Sequence, residues 1–256
     1  MNTFRSFTML LCAVALTACE KNAVQDITGS LPAARVKFFN FGVGAPAVNF
    51  YANDAKVTAV LSATGVESTN GVASGGVGSG GFYSGIAPGQ YTFAGKIAAA
   101  VDKDVPIAAA TATLAAGKAY SFYISGIYNT TSKTAEGFVL EDAFVDTLDY
   151  TVSYVRFVNA ISNANPMSLY ARNPTTGVEV PVGGAVAYKS AGAFTPLPGA
   201  VYDISTRYVG SSTNLITRTA VSFSAGKVYT ISARGDITVV STTLATRPLL
   251  DNTSNR

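Results

Sequence analysis

The chain contains two copies of one sequence pattern, and this internal repeat limits the architectures that it can adopt. Four blocks recur in the same order: residues 36–40 and 155–159, 50–52 and 169–171, 88–91 and 198–202, and 116–120 and 225–229. Each block alone is weak, but four in register indicate a tandem duplication. A repeat of this kind predicts two modules with the same fold.

The repeated blocks have the composition of strands and turns. Residues 36–41, 48–51, 120–124 and 228–231 are rich in β-branched and aromatic residues, which favour strands. Pro-Gly and Ala-Gly-Lys segments between them are typical of tight turns. The Ala-rich stretch 98–116 is ambiguous, but Asp102, Asp104 and Pro106 argue against a helix there.

These features predict an all-β fold with two tandem antiparallel β-sandwich domains of the immunoglobulin-like kind. The expected domains are residues 33–148 and 151–244, followed by a flexible tail at 245–256. The first copy is nine residues longer between its second and third blocks. We place the extra residues at 62–81, where six glycines between positions 71 and 81 predict a mobile surface loop.

Two tyrosines occupy the same position in the fourth block, Tyr120 and Tyr229. As plain core aromatics, they would serve only to fill the sandwich. As tyrosine corners, their hydroxyls would also bond to nearby backbone. The sequence leaves both interpretations open.

The first nineteen residues have the order of an export signal. Arg5 precedes an apolar run over residues 7–16, which is too short for a permanent transmembrane helix. The run ends in Leu-Thr-Ala-Cys, so residues 1–18 are the predicted signal peptide, cleaved between Ala18 and Cys19. Residues 19–32 lack periodicity and contain Gly, Ser and Pro, which predicts a tether.

The Leu-Thr-Ala-Cys run resembles the lipobox of bacterial lipoproteins. This resemblance implies that Cys19 carries lipid and anchors the chain to a membrane, durably if three acyl chains are attached. Glu20 is not the aspartate that typically retains such proteins in the inner membrane, which implies the outer membrane. The alternative is an ordinary secretory peptide with a cysteine there by chance.

The order of VKFFN, APAVNFYA, APGQY, TLAAGKAYSFYISG and FVLED resembles the bacterial domain of unknown function (DUF) family 4397. The resemblance covers most of residues 33–142 and, more weakly, 153–240. The second copy departs from it at Asn165-Pro166, where the first has Ala45-Pro46-Ala47. The family implies a β-sandwich in exported or surface proteins; it brings no established activity and no catalytic residues.

The residues needed for common chemistries are scarce. The chain has no His, and its two cysteines are Cys12 and Cys19, so loss of the signal leaves no free thiol in the body. The Ser-x-x-Lys match at 224–227 contains a glycine and opens a strand, and the glycines at 71–81 lack the Gly-Lys-Ser/Thr ending of a phosphate loop. Acidic pairs at 102–104 and 141–142 fit surface turns better than cation or glycosidase sites.

The sequence therefore predicts a non-enzymatic protein without catalytic residues, cofactor or metal. A net charge of only +3 gives no reason to expect a nucleic-acid partner. The expected role is a lipid-anchored structural or binding module of the bacterial cell envelope, facing the periplasm or the cell surface, with an envelope protein or polysaccharide as partner. The alternative is a lectin-like polysaccharide-binding module that uses the 62–81 loop and tyrosines.

Overall fold

The computed structural model describes residues 33–58 and 70–256. The predicted signal peptide and tether, with Cys19, lie outside the described residues, as do residues 62–69 of the predicted insertion loop. Residues 33–256 form one compact unit.

Within the described part of the chain, no helix is long and apolar enough to cross a membrane.

Each copy contributes nine strands to the described structure. The first copy consists of β1 Ala34–Asn40, β2 Val48–Ala52, β3 Ala55–Lys56, β4 Gly76–Val77, β5 Ser84–Ile86, β6 Gly89–Ile97, β7 Pro106–Leu114, β8 Ala119–Asn129 and β9 Thr134–Glu141. The second consists of β10 Val152–Asn159, β11 Met167–Arg172, β12 Glu179–Val186, β13 Ser190–Ala191, β14 Thr195–Pro198, β15 Ala200–Tyr208, β16 Ile216–Phe223, β17 Val228–Arg234 and β18 Leu249–Ser254.

The two copies have the same topology. In the first, one sheet has the order β4-β1-β8-β9, with β5 also pairing β1, and the other has the order β3-β2-β6-β7. In the second, the corresponding orders are β13-β10-β17-β18, with β14 on β10, and β12-β11-β15-β16. We call the sheets that contain β1 and β10 the inner sheets and the other two the outer sheets. The prediction of tandem β-sandwiches is confirmed.

Most strand pairs are antiparallel, as predicted, but each inner sheet also contains one parallel pair. β1 runs parallel to β8, with Phe38 opposite Phe122, and β10 runs parallel to β17, with Phe157 opposite Ile231. Parallel neighbours need a crossover connection. Here the strands of the outer sheet lie between them in sequence and supply it.

Each copy has its own hydrophobic core between its inner and outer sheets. In the first copy the centre is aromatic: the rings of Phe38 and Phe122 each contact those of Phe50 and Phe93. The equivalent positions of the second copy are Phe157, Leu169, Ile204 and Ile231. The pattern of inward positions is thus retained while the side chains differ.

The predicted flexible tail at 245–256 is wrong, because it contains a strand. β18 pairs antiparallel with β17 over six residues and occupies the place that β9 has in the first copy. Its Leu250 is only 2% exposed and belongs to the second core. The segment has just two apolar residues at its start, so backbone pairing rather than hydrophobic periodicity holds it in the sheet.

The described part of the glycine-rich segment is not the mobile loop that the composition predicts. Val72 bridges to Val48, and β4 pairs with the end of β1 before a short 3-10 turn at Gly78–Gly81. Gly71 has a φ of +60°, and a Cβ there would lie 2.5 Å from the Cβ of Ala98. At least this glycine serves close packing rather than mobility.

The tyrosine-corner interpretation is confirmed in both copies. The backbone N–H of Ala115 donates to the hydroxyl of Tyr120 at 3.0 Å, and that of Ser224 donates to Tyr229 at 3.1 Å. The glycine of each Ala-Gly-Lys turn has a positive φ, as the turn prediction requires. Each tyrosine therefore anchors the turn that opens its strand.

We expect Leu250→Ala to lower the free energy of unfolding of residues 33–256 by about 2 to 5 kcal/mol, because it opens a cavity in the second core. Leu244→Ala is the matched control, since Leu244 is 56% exposed and lies just before the strand. Guanidinium denaturation measures both. Equal, small effects would show that the segment is as loose as the sequence suggested.

Candidate functional site at the junction of the two copies

The first strand of each copy is buried on both faces. In β1, Val36 and Phe38 point into the core of their own copy, whereas Lys37 and Phe39 alternate with them on the opposite face. That opposite face is buried because the inner sheet of the second copy lies against it. A third hydrophobic cluster joins the copies there, formed by Phe39, Phe41, Tyr123, Phe138, Val158 and Ala160.

The first copy contributes the large side chains to this cluster. Tyr123 is stacked between Phe39 and Phe138, with ring centroids 4.4 Å and 4.9 Å apart. The second copy contributes the smaller Val158 and Ala160. Aromatic bulk on one face thus fits against small residues on the other.

A buried ion pair crosses the junction. Arg156 of β10 and Asp142, just after β9, are paired with side chains 3% and 0% exposed. Arg156 also donates to the backbone carbonyl of Glu141 at 3.1 Å and to the hydroxyl of Thr230 at 3.0 Å. The guanidinium therefore has partners in both copies.

The carboxylate of Asp142 is equally well satisfied. It accepts hydrogen bonds from the hydroxyls of Tyr83 at 2.6 Å and Ser121 at 2.8 Å. Burial, followed by the nearby carboxylate, raises the pKa of Tyr83 well above its usual value, which keeps the phenol a donor. The interpretation of Glu141-Asp142 as a surface turn is wrong for Asp142, because Arg156 draws it into the junction.

Lys37 makes the reciprocal contact from the first copy. Its ammonium donates to the carbonyl of Ser254 at 2.8 Å and to Oδ1 of Asn255 at 3.1 Å. It also lies 4.3 Å from the ring centroid of Tyr83. Asn255 in turn donates to Thr230 at 2.7 Å. Both cations of the repeated first block therefore reach the last strand of the opposite copy.

The ammonium of Lys37 is incompletely compensated. Burial lowers its pKa from 10.5 to about 8; the nearby Asp142 carboxylate opposes this shift, and Arg156 adds to it. Asn255, a neutral side chain, occupies the position that the carboxylate of Asp142 has in the other half of the network. The contacts of Lys37 and Arg156 thus have the same geometry, but Arg156 is paired with a carboxylate and Lys37 with a neutral amide.

Two grooves flank this network. The first has a volume of 590 Å³ and is lined by Lys37, Phe82, Tyr83 and residues 252–256. The second, of 360 Å³, is lined by Arg156, Phe194 and their neighbours. Tyr83 and Phe194 are equivalent by strand register, and so the preceding residues Phe82 and Ala193 are equivalent too.

Phe82 distinguishes the first groove from the second. Its side chain is 76% exposed, whereas Ala193 has no comparable surface to offer. The groove thus has an aromatic wall beside a strip of polar side chains from residues 252–256. Such a surface can bind a small ring with hydroxyl groups.

The remaining sequence candidates do not come together in a site. Asp102 pairs with Lys133, and Asp104 accepts a hydrogen bond from Tyr51 at 2.9 Å, so the surface-turn interpretation holds there. Ser224-to-Lys227 is an exposed turn at the base of β17. Among the described residues, no group of three or more His, Cys, Asp or Glu side chains could hold a metal ion.

Sequence reasoning missed the junction, although one signal pointed to it. Lys37 and Arg156 hold the same position of the repeated first block, each between apolar neighbours. A strand with one face in solvent would have polar residues at every second position. Here the next residues on the same face as the two cations are apolar, Phe39 in the first copy and Val158 in the second. A cation kept in such a face in both copies indicates a buried polar contact.

We expect the stability that Lys37 contributes to rise with pH. The unfolded chain keeps the Lys37 proton up to about 10.5 while the folded chain releases it near 8, so the unfolded state binds more protons between these values. The stability difference between the wild type and Lys37→Met should therefore rise by about 2 kcal/mol from about pH 7.5 to about pH 9.5.

Denaturant titrations across this pH range give the measurement. Lys103→Met, at an exposed turn, is the reference for loss of one positive charge. A difference that stays flat or falls with pH would contradict the burial of the ammonium.

The comparisons with known proteins agree with the duplicated architecture. The family model described as "Domain of unknown function (DUF4397)" matches residues 34–170 and again residues 153–256. No curated protein matches the chain. The two matches cover both copies, including β18, and the chain therefore belongs to the DUF4397 family.

Proposed function

We propose that this protein is a lipid-anchored, non-enzymatic module of the bacterial cell envelope, with a structural or binding role. The observation that carries this proposal is the use of the buried charged residues. Lys37, Asp142 and Arg156 are all directed at partners in the junction, where they connect the copies. These engagements favour a structural role for the three side chains over a catalytic one.

The lipid anchor rests on the sequence before the described part. The thiol of Cys19 follows a Leu-Thr-Ala segment, and the fourteen residues 20–33 separate it from β1. A tether of that length lets the compact unit stand clear of a membrane surface. We place the protein in the outer membrane, facing the periplasm or the cell surface.

We expect Cys19→Ser to abolish labelling with palmitate and to move the protein out of the membrane fraction, because the acyl chains supply the membrane affinity. Cys12→Ser is the matched control: it removes the other cysteine of the chain and should leave labelling intact. Labelling in the producing bacterium followed by fractionation measures both. Persistent palmitate on the Cys19→Ser chain would rule out this anchor.

The first groove supports a second candidate, the polysaccharide-binding module. Phe82 is a large aromatic side chain with little burial, next to the polar strip of residues 252–256. Aromatic faces contribute to ligand binding by burying apolar area against a flat partner. In this candidate, Phe82 stacks on one sugar unit of an envelope polysaccharide.

We expect Phe82→Ala to weaken binding to cell-envelope polysaccharide about tenfold, a loss of about 1.4 kcal/mol, because the stacking surface is removed. Val101→Ala is the control, since Val101 is 78% exposed on a distant turn. Isothermal titration with purified envelope polysaccharides measures both variants. If the wild type shows no binding, or both variants bind as it does, the groove is not a glycan site.

A further inference from the structure

The contacts across the junction come in equivalent pairs. Lys37 reaches Ser254 and Asn255, while Arg156, its counterpart, reaches the backbone of Glu141 and the carboxylate of Asp142. Strand register makes Ser254 equivalent to Glu141. Reciprocal contacts of this kind are the mark of an isologous, two-fold interface.

Related, though not strictly equivalent, contacts are made at the ends of the inner strands. Tyr188, just before β13, contacts the hydroxyl of Ser125 at 2.7 Å. Ser125 is equivalent to Arg234 by register. A Cβ on Gly75, just before β4, would lie 3.0 Å from the guanidinium of Arg234, and Gly75 is one position after Ser74, the counterpart of Tyr188. A large residue therefore meets a small one at both ends, with the sizes exchanged between the copies.

At the centre of the interface, too, equivalent positions carry large side chains in one copy and small ones in the other. Phe39 and Phe41 are equivalent to Val158 and Ala160, and all four share one cluster. Two first copies would bring aromatic rings against aromatic rings, and two second copies would leave gaps where the rings now lie. Both arrangements lose the close packing that core stability requires.

We propose that the face of each inner sheet that points away from its own core is a recognition surface for the unlike copy of this module, and that it pairs first with second copies without the covalent link between them. The partner is the other copy of the same chain, whose face has the opposite distribution of large and small side chains. The sizes of the side chains at the centre of the interface, rather than the covalent connection between β9 and β10, decide which copies pair.

The test uses the full chain, solubilised in detergent, with a protease recognition sequence inserted between Asp146 and Thr147. Both residues are exposed in the segment that joins β9 to β10. After complete cleavage, native mass spectrometry should show one complex with one of each fragment. The uncleaved chain with the same insertion is the control. Fragments that separate on cleavage would overturn the proposal.

Pairing preference is measured by unfolding the cleaved protein and refolding the mixed fragments. Random pairing produces equal numbers of like and unlike pairs, whereas we expect about a tenfold excess of the unlike pair. An excess of like pairs, or equal numbers of both, would contradict the specificity.

Exchanging the large and small side chains between the copies tests whether residue size determines which copies pair. The double substitution Val158→Phe and Ala160→Phe should reduce the unlike pair at least about tenfold. Adding Phe39→Val and Phe41→Ala should restore it, although the chain then carries four substitutions. If the double substitution leaves pairing unchanged, or the fourfold variant fails to restore it, residue size does not set the partner.

Discussion

The ion pair between Arg156 and Asp142 is the interaction on which the arrangement of the two copies depends. Removing two charges from water costs several kcal/mol per ion, and this cost is offset only by good geometry and full hydrogen bonding. Here Thr230, Glu141, Tyr83 and Ser121 supply that bonding. The donors and acceptors come from both copies, so the charge pair is satisfied only in this relative orientation.

The rest of the junction follows from that orientation. Once the inner sheets face each other, the aromatic face of the first copy has a surface of small residues to cover it, and Lys37 lies within reach of Asn255. The two grooves occur where the sheets diverge at either side of the network. The two grooves lie at equivalent places in the two copies, and the first differs from the second by the mostly exposed aromatic side chain of Phe82.

Much of the fold was predictable because it depends on local chemistry. The strands around the repeated blocks, the Gly-dependent turns and the two hydrophobic cores follow from residue type and spacing, which act over a few residues. The segment with β18 was missed because only its first two residues are apolar, so its side chains show no alternating pattern that would indicate the pairing to β17. The glycines at 71–81 led to a wrong prediction of a mobile loop. Composition cannot distinguish a glycine in a mobile segment from one such as Gly71, where a close neighbour leaves no room for a side chain.

The candidate site was the least predictable part. Asp142 looks like any acidic residue at the end of a strand, and Tyr83 like any aromatic after a glycine run; what they do depends on Arg156, which belongs to the other copy. The sequence by itself determined that there are two related β modules, where most of their strands and turns lie, and that residues 33–256 contain neither histidine nor cysteine. Only the tertiary structure decided that the modules share a buried polar junction, because each buried charge has at least one of its partners in the other copy, and their distance in space is not encoded in any local pattern.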